Sequence, residues 1–247
     1  MIRKRLAIIG AIDSSGGAGI NQDIRVASRF GFQPEICLTA TTLQDEQGVS
    51  AIYPIPPSEF EQNLIHLFKN QQLRYIKIGA LCSVSQILCL TSYLKQNPQL
   101  SIVLDPVIKP SLGNSFIQEK DIISLKELLS TCDYVTPNLP ELEQLCGIEV
   151  SSFQEAVLAA QSLNRKYGVD VLLKGGHGER YGNLEAYICA ERVNVSAFTR
   201  RSWNYMHGTG CAFATAFSCF IAQDWSPEVA FTSASNWVRE FFDELND

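Results

Sequence analysis

Short, continuously apolar runs alternate along this chain with longer stretches whose apolar residues recur every three or four positions. The runs read as buried strands and the stretches as amphipathic helices. Residues 5–12 form the first strand, with Leu6-Ala7-Ile8-Ile9 at its centre; a helix at 20–30 follows, with Ile24, Ala27 and Phe30 on one face. Residues 35–43 and 51–55 read as strands at an edge or lid. Pro57 opens a helix in which Ser58 and Glu61 have the spacing of a capping box, and Phe60, Leu64, Leu67 and Phe68 keep the helical period. Strands at 75–79, 101–107, 134–136 and 169–173 then alternate with helices at 84–94, 121–129, 138–147 and 152–167. Residues 183–190 and 193–198 alternate like a hairpin, a departure from the strand–helix rhythm. Two helices close the chain, at 208–223 and 227–245, the second with Ser226 as N-cap and proline at its first position. The rhythm predicts an α/β fold, a central and mostly parallel sheet with helices on both faces, in a single domain over 1–247.

Composition narrows the partners. Apolar residues make up 46% of the chain, enough for a sizeable core, and the net charge is −6 with no basic stripe, which argues against nucleic acid. The eight cysteines are scattered, without zinc-like spacing, and read as reduced thiols in a cytoplasmic protein. Met1-Ile2-Arg3-Lys4-Arg5 leads straight into a strand rather than a signal peptide, and no apolar stretch approaches the roughly 20 residues of a membrane helix.

Polar clusters fall where the predicted strands end. The chain is organised around Met206-His207-Gly208-Thr209-Gly210-Cys211, a Gly-rich turn opening a helix of small and apolar residues. The first amides of a helix lack partners within it and carry partial positive charge, which suits a phosphate or a developing oxyanion. Cys211 stands in that first turn, where a thiol's pKa tends to fall. Asp13-Ser14-Ser15-Gly16-Gly17-Ala18-Gly19 is a strand–turn–helix loop without the Walker lysine or the dinucleotide fingerprint, so it reads as a seat for a small substrate, with Asp13 at the strand's carboxyl edge. Gln44, Asp105-Pro106-Val107, Asn138 to Glu141 and Lys174 to His177 complete the set. Taken singly, each has an ordinary explanation: a turn, a helix cap or a solvated strand end. His177 and His207 read as structural.

Together, Ser-Ser-Gly-Gly-Ala-Gly-Ile, Asp-Pro-Val, Thr-Pro-Asn-Leu-Pro-Glu, Lys-Gly-Gly-His and His-Gly-Thr-Gly-Cys, in this order and at these intervals, resemble the hydroxymethylpyrimidine and phosphomethylpyrimidine kinases of thiamine synthesis, members of the ribokinase superfamily. The resemblance implies a ribokinase-like three-layer sandwich, use of ATP and Mg²⁺, two successive phosphorylations of 4-amino-5-hydroxymethyl-2-methylpyrimidine, and a homodimer. It implies that Gln44 bonds the pyrimidine ring, that Ala18 and Val107 lie against it, and that Asp23 is nearby. It further implies that Asn138 and Glu141 organise Mg²⁺, that Lys174 and the amides of Gly208, Thr209 and Gly210 surround the transferring phosphoryl, and that Cys211 is the catalytic residue. Asp105 is a second carboxylate suited to that hard, well-hydrated ion. The departures cluster around the acceptor pocket: Gly10-Ala11-Ile12 before Asp13, Ala80 in place of methionine, Asp45-Glu46 after Gln44, and Lys109-Pro110-Ser111-Leu112-Gly113. They keep two rivals open, a pyridoxal or pyridoxine kinase and a non-catalytic pyrimidine sensor; intact Cys211, Glu141 and Lys174 argue against the sensor.

Overall fold

A computed structural model describes residues 4–45, 48–70, 72–109, 113–175, 183–190 and 192–246. Expectations for Glu46, Pro110, Ser111, Leu112, Gly176, His177 and Glu191 therefore lie outside the described residues. The strands are β1 (Arg5–Asp13), β2 (Gln33–Asp45), β3 (Gly48–Pro54), β4 (Tyr75–Ile78), β5 (Ser101–Leu104), β6 (Tyr134–Val135), β7 (Asp170–Leu173), β8 (Leu184–Ile188) and β9 (Val193–Ala197). They form one sheet in the order β3-β2-β1-β4-β5-β6-β7-β8-β9. Pairing is parallel from β2 through β7. It is antiparallel where β3 joins β2 and where the β8–β9 hairpin joins β7.

Helices α2 (Pro57–Phe68), α3 (Val84–Lys95), α4 (Ile122–Leu129), α5 (Leu139–Cys146) and α6 (Phe153–Tyr167) share one face of the sheet, where Phe60, Leu64, Leu90, Leu128, Leu142 and Leu163 join the main core. Helices α1 (Gly19–Arg29), α7 (Thr209–Ile221) and α8 (Pro227–Asn246) cover the other. The alternation of strand and helix thus yields the expected three layers. Helix α7 is buried on all sides from Ala212 to Phe220, its alanines letting α1, α8 and the sheet close in. Full burial of one phenylalanine such as Phe217 contributes about 1.5–3 kcal/mol.

Three local expectations change. On α1 the buried face carries Gln22 and Asp23, whereas Ile24 is exposed. The capping box at Ser58 and Glu61 is not formed: the helix starts one residue earlier, at Pro57, and no side chain caps it. Proline at that first position has no amide to satisfy, so the box has less to do. Finally, β5 stops at Leu104; the Asp105 amide still bonds the Ile78 carbonyl at 2.8 Å, and the chain then turns, the Val107 amide bonding the Asp105 carbonyl, so that both residues line the site.

Candidate active site

The parallel strands all deliver their carboxyl ends to one edge, and that edge holds a cavity of about 370 Å³. Asp13 ends β1, Ala80 follows β4, Asp105 and Val107 follow β5, Asn138 and Glu141 follow β6, and Lys174 follows β7; all line the cavity with Ala18, Asp23, Gln44, Gly208, Thr209, Gly210 and Cys211. Every site residue expected from the sequence is therefore brought to one cavity, although their roles within it differ.

Helix α7 enters through Gly208, whose φ of +86° favours glycine; a Cβ there would lie 2.1 Å from the carbonyl oxygen of Gly17. Gly17 is tight in a softer way: its Cβ would meet the Tyr205 hydroxyl and the His207 ring, side chains that could shift. The loop after β1 and the start of α7 thus meet without space for a side chain at Gly208. No side chain caps α7, and Gly208, Thr209 and Gly210 line the cavity, the Thr209 amide making only a long 3.4 Å bond to the Met206 carbonyl; such a terminus suits an anion.

Lys174 stands beside that terminus: a Cβ on Gly210 would lie 3.3 Å from its Nζ. Its ammonium is 2.8 Å from Asp105 and 3.7 Å from Glu141. Asn138 and Glu141 make a reciprocal capping box on α5, the Asn138 side chain accepting from the Glu141 amide and the Glu141 carboxylate from the Asn138 amide. Burial by itself would raise Asp105, but Lys174 and Lys77 outweigh it and hold the carboxyl below its ordinary range. Glu141 is pushed up to about 7 by burial, against the pull of Lys174 and with the help of Asp105. Among the described residues no group of three or more His, Cys, Asp or Glu side chains forms a metal cluster. Two hard oxygen donors around a cationic lysine nevertheless fit a hydrated divalent ion that shares its remaining positions with phosphate and water.

Beneath Cys211 lies a pair absent from the sequence reading. Lys77, in β4, is fully buried and 2.8 Å from the equally buried Asp23, which also accepts a 2.7 Å bond from Thr215 of α7. Asp23 and Lys77 both line the cavity, and the Asp23 carboxylate is committed to Lys77 and Thr215. One signal was available: a lone lysine in the apolar run Tyr75-Ile76-Lys77-Ile78 of a strand covered by helices on both faces has no solvent to reach. Burial dominates Cys211 and pushes its thiol up to about 12, Lys77 opposing and Asp23 and Asp105 adding to the rise. The expectation of a lowered pKa is therefore corrected: enclosure and two nearby carboxylates outweigh the helix terminus.

On the acceptor side, a bulge between Leu43 and Gln44 re-aims the Gln44 side chain, and Ser14 clamps the Gln44 backbone amide at 2.8 Å. Asp13 spends its oxygens on the loop, accepting from the Ser15 amide and hydroxyl and from the Ala18 amide. Its other contact is with His207 Nε2 at 2.7 Å, and the same nitrogen is 2.9 Å from the side-chain Nε2 of Gln44. His207, read as structural from the sequence, lines the same cavity, and only the folded loop shows what its ring faces. Ala80 packs with Ala11, Ala40, Val107 and Phe116, and the last was not anticipated. At the far end the cavity is lined by Phe198, Phe213, Ser235 and Arg239, with Glu185 buried against Ser235 and Arg239. Phe213 stands on α7, whereas Glu185 comes from the hairpin, Phe198 follows it, and Ser235 and Arg239 come from α8, segments that carried no motif.

A sheet that gathers an anion-seeking helix terminus, a lysine and two carboxylates beside a small organic pocket defines an ATP-type phosphotransferase of the ribokinase-like class. The chain belongs to the phosphomethylpyrimidine kinase family, whose model matches residues 13–245. It is 33% identical to the hydroxymethylpyrimidine/phosphomethylpyrimidine kinase of Aquifex aeolicus, covering 94% of this chain and 91% of that protein. It is 31% identical to the bifunctional thiamine biosynthesis protein of Geobacter sulfurreducens over 96% of this chain, and spans 48%, about half, of that longer relative. Among solved structures, the phosphomethylpyrimidine kinase of Clostridium difficile 630 superposes with a TM-score of 0.82 at 25% identity, covering 96% of this chain and 99% of that one. The pyridoxal kinase of Staphylococcus aureus in complex with pyridoxal superposes at 0.83 with 26% identity, over 97% and 87% of the two chains. No helix among the described residues is long and apolar enough to cross a membrane.

Proposed function

We propose that this chain acts as a single kinase domain that transfers phosphoryl groups from ATP to 4-amino-5-hydroxymethyl-2-methylpyrimidine and then to its monophosphate, in thiamine biosynthesis. The observation that carries the reading is the continuity of one cavity from Gln44, Ala18, Ala80 and Val107, past Cys211 and the α7 terminus, to Lys174 and beyond it to Phe198 and Arg239. An acceptor alcohol at the first end and a nucleotide at the second would meet at Cys211. Phosphoryl transfer asks a protein mainly for positioning and charge neutralisation. The amides of Gly208, Thr209 and Gly210 would hold the phosphoryl oxygens, Lys174 would neutralise them, and Cys211 would receive the acceptor's proton. Asp105 and Glu141, with Asn138 fixing Glu141, would hold Mg²⁺, which when bound supplies positive charge to the phosphates. Both carboxylates already face a cation, Lys174, in the free protein.

The reading extends to a cytoplasmic homodimer. All eight cysteines are free. Ile36, Leu43 and Tyr53 expose large apolar side chains on β2 and β3 at the sheet's edge, a surface suited to a second copy. A second function keeps support from one feature: the small wall made by Ala11 and Ala80 also admits a substituted pyridine such as pyridoxal. ATP consumption measured with the hydroxymethylpyrimidine, its monophosphate and pyridoxal separates the readings. Turnover with the pyrimidines is expected; turnover with pyridoxal alone would transfer the chain to the second reading, and turnover with none would leave a binding protein. Gln44→Ala should raise the pyrimidine KM by the worth of a neutral hydrogen bond, about 0.5–1.5 kcal/mol.

A further inference from the structure

The ring of His207 meets two groups through one nitrogen. Nε2 lies 2.7 Å from Asp13 Oδ2 and 2.9 Å from Gln44 Nε2. A ring nitrogen either donates one hydrogen or accepts with one lone pair. Asp13 already accepts from the Ser15 amide, the Ser15 hydroxyl and the Ala18 amide, and these bonds together with His207 hold its carboxyl below the usual range despite burial. Asp13 is therefore an ionised acceptor, and His207 Nε2 carries the hydrogen. A proton on Nε2 cannot face an amide NH₂, which is also a donor. Exchanging the amide's oxygen and nitrogen, which have the same shape, removes this clash: the Gln44 oxygen then shares the Nε2 hydrogen with Asp13, and the NH₂ turns away from His207.

We infer that Asp13 and His207 form a relay that fixes the polarity of the Gln44 amide, making His207 a positioning residue for acceptor recognition. This rests on the reading of Gln44 as the contact for the acceptor ring. The fixed NH₂ requires a hydrogen-bond acceptor on that ring, and the amide oxygen keeps one lone pair for a neighbouring amine. An aminopyrimidine edge, with a ring nitrogen beside an exocyclic amine, meets both. Without the relay the amide rotates freely and part of its interaction is lost on ordering it. The relay sits where the loop after β1 meets Gly208, so its two residues border the α7 terminus.

Two measurements test it. Long-range nitrogen–proton NMR of the ligand-free protein reads the protonated ring nitrogen of each of the three histidines, with His207 assigned by the signal lost in His207→Ala. Hydrogen on Nε2 is expected; a bare Nε2 with hydrogen on Nδ1 alone overturns the relay. Steady-state kinetics then use whichever alcohol the wild type phosphorylates. His207→Ala should raise KM for that alcohol roughly fivefold to tenfold, the loss of about one hydrogen bond, with kcat within about threefold and the ATP KM unchanged. The double variant Gln44→Ala/His207→Ala should be no worse than Gln44→Ala alone. Single effects that multiply, or a loss confined to kcat, overturn the inference. A wild type inert toward both alcohols overturns the functional reading instead, and the NMR result then decides the relay by itself.

Discussion

At the scale of single residues, Cys211 carries the sharpest consequence. Its thiol, pushed up to about 12 by burial, is neutral in the free protein at ordinary pH. Its alkylation by iodoacetamide should therefore be slow at pH 8 and still climbing above pH 10, because only the thiolate attacks. A labelling rate that saturates near pH 8, assigned to Cys211 by peptide mapping, would contradict the half-buried, carboxylate-flanked setting. Proton transfer to a positioned group contributes roughly 10²–10⁴-fold. Cys211→Ala should lower kcat by that order with the ATP KM nearly unchanged; near-normal kcat would assign the reaction to the amides and Lys174. Ala80 is the complementary case. It packs with Ala11, Val107 and Phe116 at the acceptor wall, and Ala80→Met should shift preference among 2-methyl, 2-ethyl and 2-propyl pyrimidines toward the smallest, since a methylene in such a pocket is worth about 1–3 kcal/mol. An unchanged preference would place Phe116 rather than residue 80 against the 2-substituent.

At the scale of elements, the buried pair Lys77–Asp23 joins β4 to α1, and Thr215 ties α7 to the same carboxylate. Removing one partner strands a charge in the core, which costs about 3–5 kcal/mol. Lys77→Met should lower the stability to urea by that order, and Lys77→Met/Asp23→Asn should recover most of it. If the double variant is as unstable as the single, the loss comes from packing at β4 and not from the stranded charge. Should the double variant be stable yet slow, Lys77 also serves the reaction, through its proximity to Cys211 and Asp105.

For the whole molecule, the cavity couples protonation to nucleotide binding. Glu141 is raised to about 7, so near neutral pH a substantial fraction is protonated in the free site. Because the folded pKa exceeds the unfolded one, the folded state binds the extra proton, and this carboxyl weakens stability as pH rises from about 4.5 to 7. Binding of Mg²⁺ with nucleotide should ionise Glu141 and release a fraction of a proton at pH 6.5. Calorimetry in buffers of different ionisation enthalpy measures it. Glu141→Gln should abolish the release, and a wild type with no buffer dependence would mean that the carboxyl is already ionised or makes no contact with the cation.

What the sequence by itself determined was the layered α/β fold and the address of the site. Apolar period and strand length dictate which segments are buried, and parallel strands joined by helices put every carboxyl end on one edge, so Asp13, Asp105, Asn138, Glu141, Lys174 and Cys211 were legible before any coordinate. Partnership was decided only by the tertiary structure. Lys77 and Asp23 lie 54 positions apart and His207 and Asp13 lie 194 apart, distances over which no local pattern reports a contact. The same holds for Cys211: a helix terminus is visible in sequence, but the burial and the carboxylates that overrule it come from other strands. Charge and hydrogen-bond polarity depend on what surrounds an atom in three dimensions, and that is settled when the sheet closes under α1 and α7.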